Sequence, residues 1–348
     1  MTLPPSPLRL RLDGEALAAN WRWLRARGGA AACGAAVKAN GYGLGAVEVT
    51  GRLAAAGCRD FFVATWAEAR EIEQAVGDSS VSVLHGVRDE DMEAAAASRA
   101  RPVLNTPDQV RRWREAGQKR PCDVMIDTGI NRLGLAPEDA GAGLIDGLAV
   151  ATLMSHLACG DEDAAMNDRQ RRALMEISTK VPHRRLSLAN SAGICLGPDY
   201  AFDLTRPGLA LYGGVPRREA AGGIRPVARV EAQILQRRRV APGGTIGYGA
   251  TFTADRPVEL AILNIGYADG YLRGFSNSGR AFAGEAVLPV AGRVSMDLTA
   301  IIVDAAPDLG EGDWVAFDDD LPSAAAASGL SQYELLTTLG RRHERFWV

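Results

Sequence analysis

Ala32-Cys33-Gly34-Ala35-Ala36-Val37-Lys38-Ala39-Asn40-Gly41-Tyr42-Gly43 sets a short apolar run against a polar, glycine-rich corner, and the periodic stretch Ala46–Ala56 follows. The run reads as a buried strand, the corner as its exit, and the periodic stretch as a crossover helix. The unit recurs. Strands are expected at Phe61–Ala64, Val81–Leu84, Pro102–Leu104, Asp123–Ile126, Ala149–Met154, Arg185–Leu188 and Phe202–Leu204. Helices are expected at Glu15–Arg25, Ala67–Val76, Asp89–Ala97, Pro107–Ala116, Pro137–Ile145 and Asp168–Ser178. Prolines open two of these helices (Pro107, Pro137), and glycines follow several ends (Gly57, Gly77, Gly117, Gly147). About eight such repeats over roughly 200 residues predict a closed (β/α)8 TIM-type barrel rather than an open sheet.

Beyond Pro226 the texture changes. Val227–Val240, Glu259–Gly266, Val287–Val290 and Thr299–Val303 are strand-like and separated by glycine turns, with no long helix expected before Ser331–Leu339. The chain therefore divides into a barrel over residues 8–220 and a C-terminal mostly-β domain over 221–348, with residues 1–12 free to join the second. The junction falls within Gly213–Pro226.

The net charge of −3 gives no electrostatic reason to expect nucleic acid or an anionic membrane as a partner. The proline-broken start MTLPPSPLRLRLDG lacks the apolar core of a secretory signal, and no apolar run has transmembrane length. Five cysteines without CxxC spacing suit buried thiols in a reducing compartment, so the cytoplasm is expected and a structural metal is not.

Barrel active sites form at the C-terminal ends of the strands. That rim would receive Lys38, Thr65, His85, Asn105, Asp127, His156, Asn190–Ser191 and Arg206. Lysine is rare in this arginine-rich chain: only Lys38, Lys119 and Lys180 occur, and the last two read as solvated helix ends. A lysine at a buried strand exit tends to lose its proton, and a neutral amine forms a Schiff base with an aldehyde. Alone, it could as well cap a turn. Arg206-Pro207-Gly208 offers a cation and free backbone amides suited to phosphate; a surface ion pair is the plainer alternative. His156 could be an ordinary satisfied histidine, and Gly247-Tyr248-Gly249 an ordinary hairpin.

Taken in order along nearly the whole chain, these segments resemble the alanine racemase family. The resemblance implies pyridoxal 5′-phosphate carried on Lys38, with Tyr42, Ser191, Gly208 and Leu209 near its phosphate and Arg206 facing the pyridine nitrogen. It implies two opposed catalytic bases, Lys38 and Tyr248, that interconvert L- and D-alanine. His156 is expected to hydrogen-bond Arg206, while Arg132, in the block Asp127 to Gly134, is expected near the substrate carboxylate with Tyr267 and Met296. It also implies a homodimer in which Tyr248, Tyr267 and Met296 serve the partner's barrel. Wall-precursor supply and D-alanine breakdown both remain open as cellular roles.

Two positions depart from the family pattern. Met125 stands where a carbamylated lysine is usual, so a buried Arg132 would need another anion, a small one shared with Asn131 and nearby amides being favoured. The usual C-terminal entrance tyrosine has no counterpart, and Arg341 or a neighbour takes its place. A broader-specificity racemase is the first alternative. A barrel-type decarboxylase using the same cofactor is the second, but it would face the ring nitrogen with a carboxylate instead of Arg206. A non-catalytic cofactor carrier would not need the β domain with Tyr248.

Overall fold

The computed structural model describes residues 5–117 and 120–348, so Lys119 lies outside the described residues. Two compact units emerge, Leu17–Leu211 with Val215–Ile224, and the N-terminal residues through Ala16 with Tyr212–Gly214 and Arg225–Val348.

In the first unit seven strands pair in parallel and in chain order: Ala35–Ala36, Asp60–Val63, Ser80–Val83, Arg101–Leu104, Cys122–Met125, Val150–Met154 and Arg185–Ser187. Their residues are almost all buried, as expected when helices cover the outer face. The eighth strand, Leu204–Thr205, pairs with Ala32–Cys33. Backbone bonds from Asp203 N to Leu186 O (3.0 Å) and Gly34 N to Thr205 O (2.9 Å) join it to the seventh and first strands and close the ring. Gly34 is required at this closure, because a Cβ there would sit 2.8 Å from Asp60 O.

Crossover helices start where the capping chemistry says they should. Thr65 accepts from Glu68 N in a full capping box, and Thr106 accepts from Gln109 N ahead of Pro107. Ala46–Ala56 ends at left-handed Gly57. Two expectations need correction. Pro137–Ile145 is not one helix: Pro137–Asp139 makes a turn and Ala140–Leu144 a wide π-type turn, because glycines 141 and 143 weaken the segment and Gly143 takes φ 95°. The last barrel strand begins at Leu204 instead of Phe202, whose φ of 50° is incompatible with a strand.

The second unit is built on a mixed eight-stranded sheet. Its spine, Ala228–Val240, pairs antiparallel with Leu8–Leu12, Val258–Leu263 and Trp314–Phe317. Leu8–Leu12 also pairs in parallel with Glu344–Trp347. A helix at Leu321–Ser328 precedes the expected C-terminal helix, which runs Gln332–Thr337. Leu8, Ile234, Leu263, Phe275, Leu288 and Phe317 belong to its core. Among the described residues no helix is long and apolar enough to cross a membrane, and no group of three or more His, Cys, Asp or Glu could hold a metal ion. All five cysteines are free.

Candidate active site

Lys38 leaves the first strand at the start of an unusual turn. Ala39, Asn40, Gly41 and Tyr42 all adopt left-handed backbone, with φ between 53° and 61°. Three are not glycine, and such conformations persist only where the surroundings hold them. Glu68 Oε1 accepts Ala39 N (2.8 Å), its Oε2 accepts Ala64 N (2.6 Å), and Asn40 Oδ1 accepts Ala46 N (3.0 Å). Glu68 thus ties the second strand's exit to the lysine turn. Thr65-x-x-Glu68 has the form of a capping box, but nothing local signals the second task of Glu68.

Lys38 is half-buried. Desolvation, then the nearby Arg132 guanidinium, pulls its ammonium below the ordinary lysine value, while Glu68 opposes. Arg206 is only 7% exposed. Its Nη1 donates to Ser187 Oγ and its Nη2 to Ser155 O, both at 2.5 Å. Burial lowers it to about 10, against the favourable field of Asp123, so it remains cationic at neutral pH.

His156 departs from expectation. Arg206 directs those two donors to Ser187 and Ser155, and no His156–Arg206 hydrogen bond forms among the described residues. Burial, followed by the fields of Arg206, Arg132 and Lys38, drives the imidazole down to about 3, so it is neutral at physiological pH. The four side chains therefore share one electrostatic neighbourhood.

Arg132, expected to be buried, is exposed in the single subunit. Asp127 explains the loop. Its carboxylate accepts the amides of Gly129 (2.8 Å), Asn131 (3.1 Å) and Arg132 (3.0 Å). Amides expected to share a small anion are spent on this side chain. Met125 is buried in its strand.

Across the rim, Ser191 Oγ accepts from Gly208 N (3.0 Å) and Ala210 N (3.2 Å), which frees its own O–H to donate elsewhere. A Cβ on Gly208 would lie 2.2 Å from the Tyr42 hydroxyl, so glycine keeps a small cradle open there. Leu209, buried, begins the turn Leu209–Tyr212.

Tyr248, Tyr267 and Met296 gather in the second unit. They line, with Arg273, Ser295 and Asp297, an open recess of about 320 Å³. Tyr248 is 72% exposed on a short turn, and Met296 is 54% exposed. Tyr267 N donates to Ser295 O and Ala268 N to Met296 O, each at 3.0 Å, so the two segments lie side by side. Arg341, expected at the entrance, is exposed; its neighbour Arg342 carries the carboxylate contacts.

The alanine racemase N-terminal domain model matches residues 12–216 and the C-terminal domain model residues 227–347. The chain belongs to the alanine racemase family. An alanine racemase of Acidiphilium cryptum is 42% identical over 97% of both chains, and the biosynthetic alanine racemase of Agrobacterium fabrum is 41% identical over 99% of this chain and 94% of its own. The structure is similar to that of alanine racemase from Bartonella henselae with covalently bound pyridoxal phosphate, with TM-score 0.92 and 33% identity over 99% of this chain and 100% of that one. Within this racemase family fold, the lysine of lowered basicity, the buried guanidinium and the Tyr42–Gly208–Ser191 cradle form a donor set that fits an aldehyde, a ring nitrogen and a phosphate.

Proposed function

We propose that this chain interconverts L- and D-alanine with pyridoxal 5′-phosphate, using Lys38 on one face of the substrate and Tyr248 of the partner subunit on the other. The observation that carries the reading is Arg206, buried and held by Ser187 and Ser155 at the rim where Lys38 is half-desolvated. Lys38 would hold the cofactor's aldehyde carbon, Tyr42, Ser191, Gly208 and Leu209 its phosphate, and Arg206 its ring nitrogen. When bound, the cofactor supplies an electron-accepting π system that lets the α-proton leave. Lys38, freed as a neutral amine, takes or returns a proton on its face, and the tyrosine exchanges one on the opposite face. Arg206 cannot yield a proton to a ring nitrogen at neutral pH, which favours proton exchange over loss of the carboxylate. Arg132 is free to meet the substrate carboxylate, and His156 stays neutral beside the guanidinium groups of Arg206 and Arg132.

The homodimer belongs to this reading: Tyr248, Tyr267 and Met296 would complete the partner's site. The five free thiols support a cytoplasmic setting, and D-alanine supply for peptidoglycan is the cellular role we favour. The test is a racemisation screen of single L-amino acids with chiral chromatography. Alanine should be racemised at least about tenfold faster, by kcat/KM, than any other amino acid. Equal rates on several side chains would favour the broader-specificity enzyme, and carbon dioxide release without racemisation would favour a decarboxylase.

A further inference from the structure

Arg342 stands in the turn before the last strand, Glu344–Trp347, whose pairing with Leu8–Leu12 fixes its base. Its Nε and Nη2 grip the two oxygens of Asp269 at 2.6 and 2.8 Å, and Nη1 reaches Asp297 Oδ1 at 2.8 Å. Asp269 is 1% exposed and also accepts Gly266 N at 3.0 Å, so its carboxylate shapes the turn that presents Tyr267. Asp297 directly follows Met296. One guanidinium therefore bridges the two segments that line the recess. Lysine has a single ammonium and cannot combine a bidentate fork with a third, divergent bond.

We propose that Arg342 is a positioning residue that fixes the spacing of Tyr267 and Met296, and so how tightly the recess receives the amino acid. This rests on the reading that these two residues meet the substrate. Backbone bonds between the segments set their register, but Asp297 is half-exposed on the rim and, among the described residues, Arg342 is the side chain that ties it to the buried anchor. Loss of the bridge should loosen substrate binding while leaving the proton-transfer groups, Lys38 and Tyr248, in place.

The experiment compares cofactor-loaded wild type, Arg342→Ala, Arg342→Lys and Asp297→Asn. In Arg342→Ala the KM for L-alanine should rise about tenfold with kcat changed less than about threefold. Ethylguanidinium should return KM toward wild type and ethylammonium should not; Arg342→Lys should fall between. Asp297→Asn weakens only the exposed arm by removing its charge while keeping an acceptor, leaves the buried pair intact, and should give a smaller KM rise that tests the bridge even if Arg342→Ala does not fold. Amide hydrogen exchange, read independently of activity, should speed up at residues 295–298 in each bridge variant. Unchanged exchange overturns the bridge itself. Faster exchange with unchanged KM, or a fall in kcat alone, overturns its role in binding. Failure of wild type to racemise alanine would instead overturn the functional reading, while the exchange result would still stand.

Discussion

The barrel rim and the recess of the β domain carry two halves of the proposed reaction in opposite physical states. At the rim, burial is itself the chemical device. It lowers the basicity of Lys38, keeps His156 neutral and forces Arg206 onto Ser187 and Ser155. Around it the backbone is strained into four successive left-handed residues, which Glu68 and Asn40 hold. In the recess, Tyr248 stands 72% exposed with glycines on both sides. Among the described residues of its own unit, none buries it. The rim is thus organised by the chain's own contacts, whereas under the proposed function the tyrosine would take its active-site environment from a partner's surface. That asymmetry is what a site shared between subunits requires.

The sharpest way to break the comparison is to separate the halves genetically. Lys38→Ala should lose about 10⁴-fold in turnover, since one residue serves as both anchor and base. Borohydride should fix the cofactor on Lys38 in the wild type, and an adduct on Lys180 in peptide mapping would refute the assignment. If the halves belong to different subunits, mixing Lys38→Ala with Tyr248→Phe chains should restore one good site per heterodimer, about a quarter of wild-type activity in a random equal mixture. No recovery after verified subunit exchange would place both bases on one chain.

A smaller effect tests the rim's preorganisation. Gly208→Ala drives a methyl to 2.2 Å from the Tyr42 hydroxyl. The ring must swing aside, and the cradle with it, so cofactor release on dialysis should quicken by about ten- to a hundredfold while the chain stays folded. Retention equal to wild type would show that the cradle does not hold the phosphate.

Much of this was legible in the sequence because barrel periodicity and capping are local. Pro107 and Gly57 mark a helix start and a helix end for reasons written within four residues, and Lys38 is a rare lysine at a strand exit. What could not be read depends on distant partners or on competition for them. Arg342 meets acids 73 and 45 residues away. The loop that carries Arg132 is set by Asp127, which gathers three of its amides and leaves the arginine exposed in the single subunit. The left-handed turn after Lys38 owes its stability to Glu68, on the next crossover helix.

The most delicate contrast concerns His156, whose neutrality is a property of the rim alone. The unfolded chain binds a proton at this imidazole below its ordinary value of 6.5, whereas in the folded protein the value falls to about 3. Between those limits the unfolded state holds more protons, so this residue makes folding less favourable as pH falls and has no effect above about pH 7. One proton corresponds to about 1.4 kcal/mol per pH unit, or about 2 kcal/mol between pH 6.5 and 5. His156→Gln removes the titration while keeping a polar side chain. Urea unfolding of wild type and variant should therefore give a stability difference that is constant above pH 7 and shifts by up to about 2 kcal/mol in the variant's favour by pH 5. Other groups that titrate in this range contribute to both proteins and cancel in the difference. Stability curves that run parallel from pH 8 to 5 would mean that the imidazole takes up its proton in the folded state. The rim would then lack the electrostatic pressure that sets it apart from the recess.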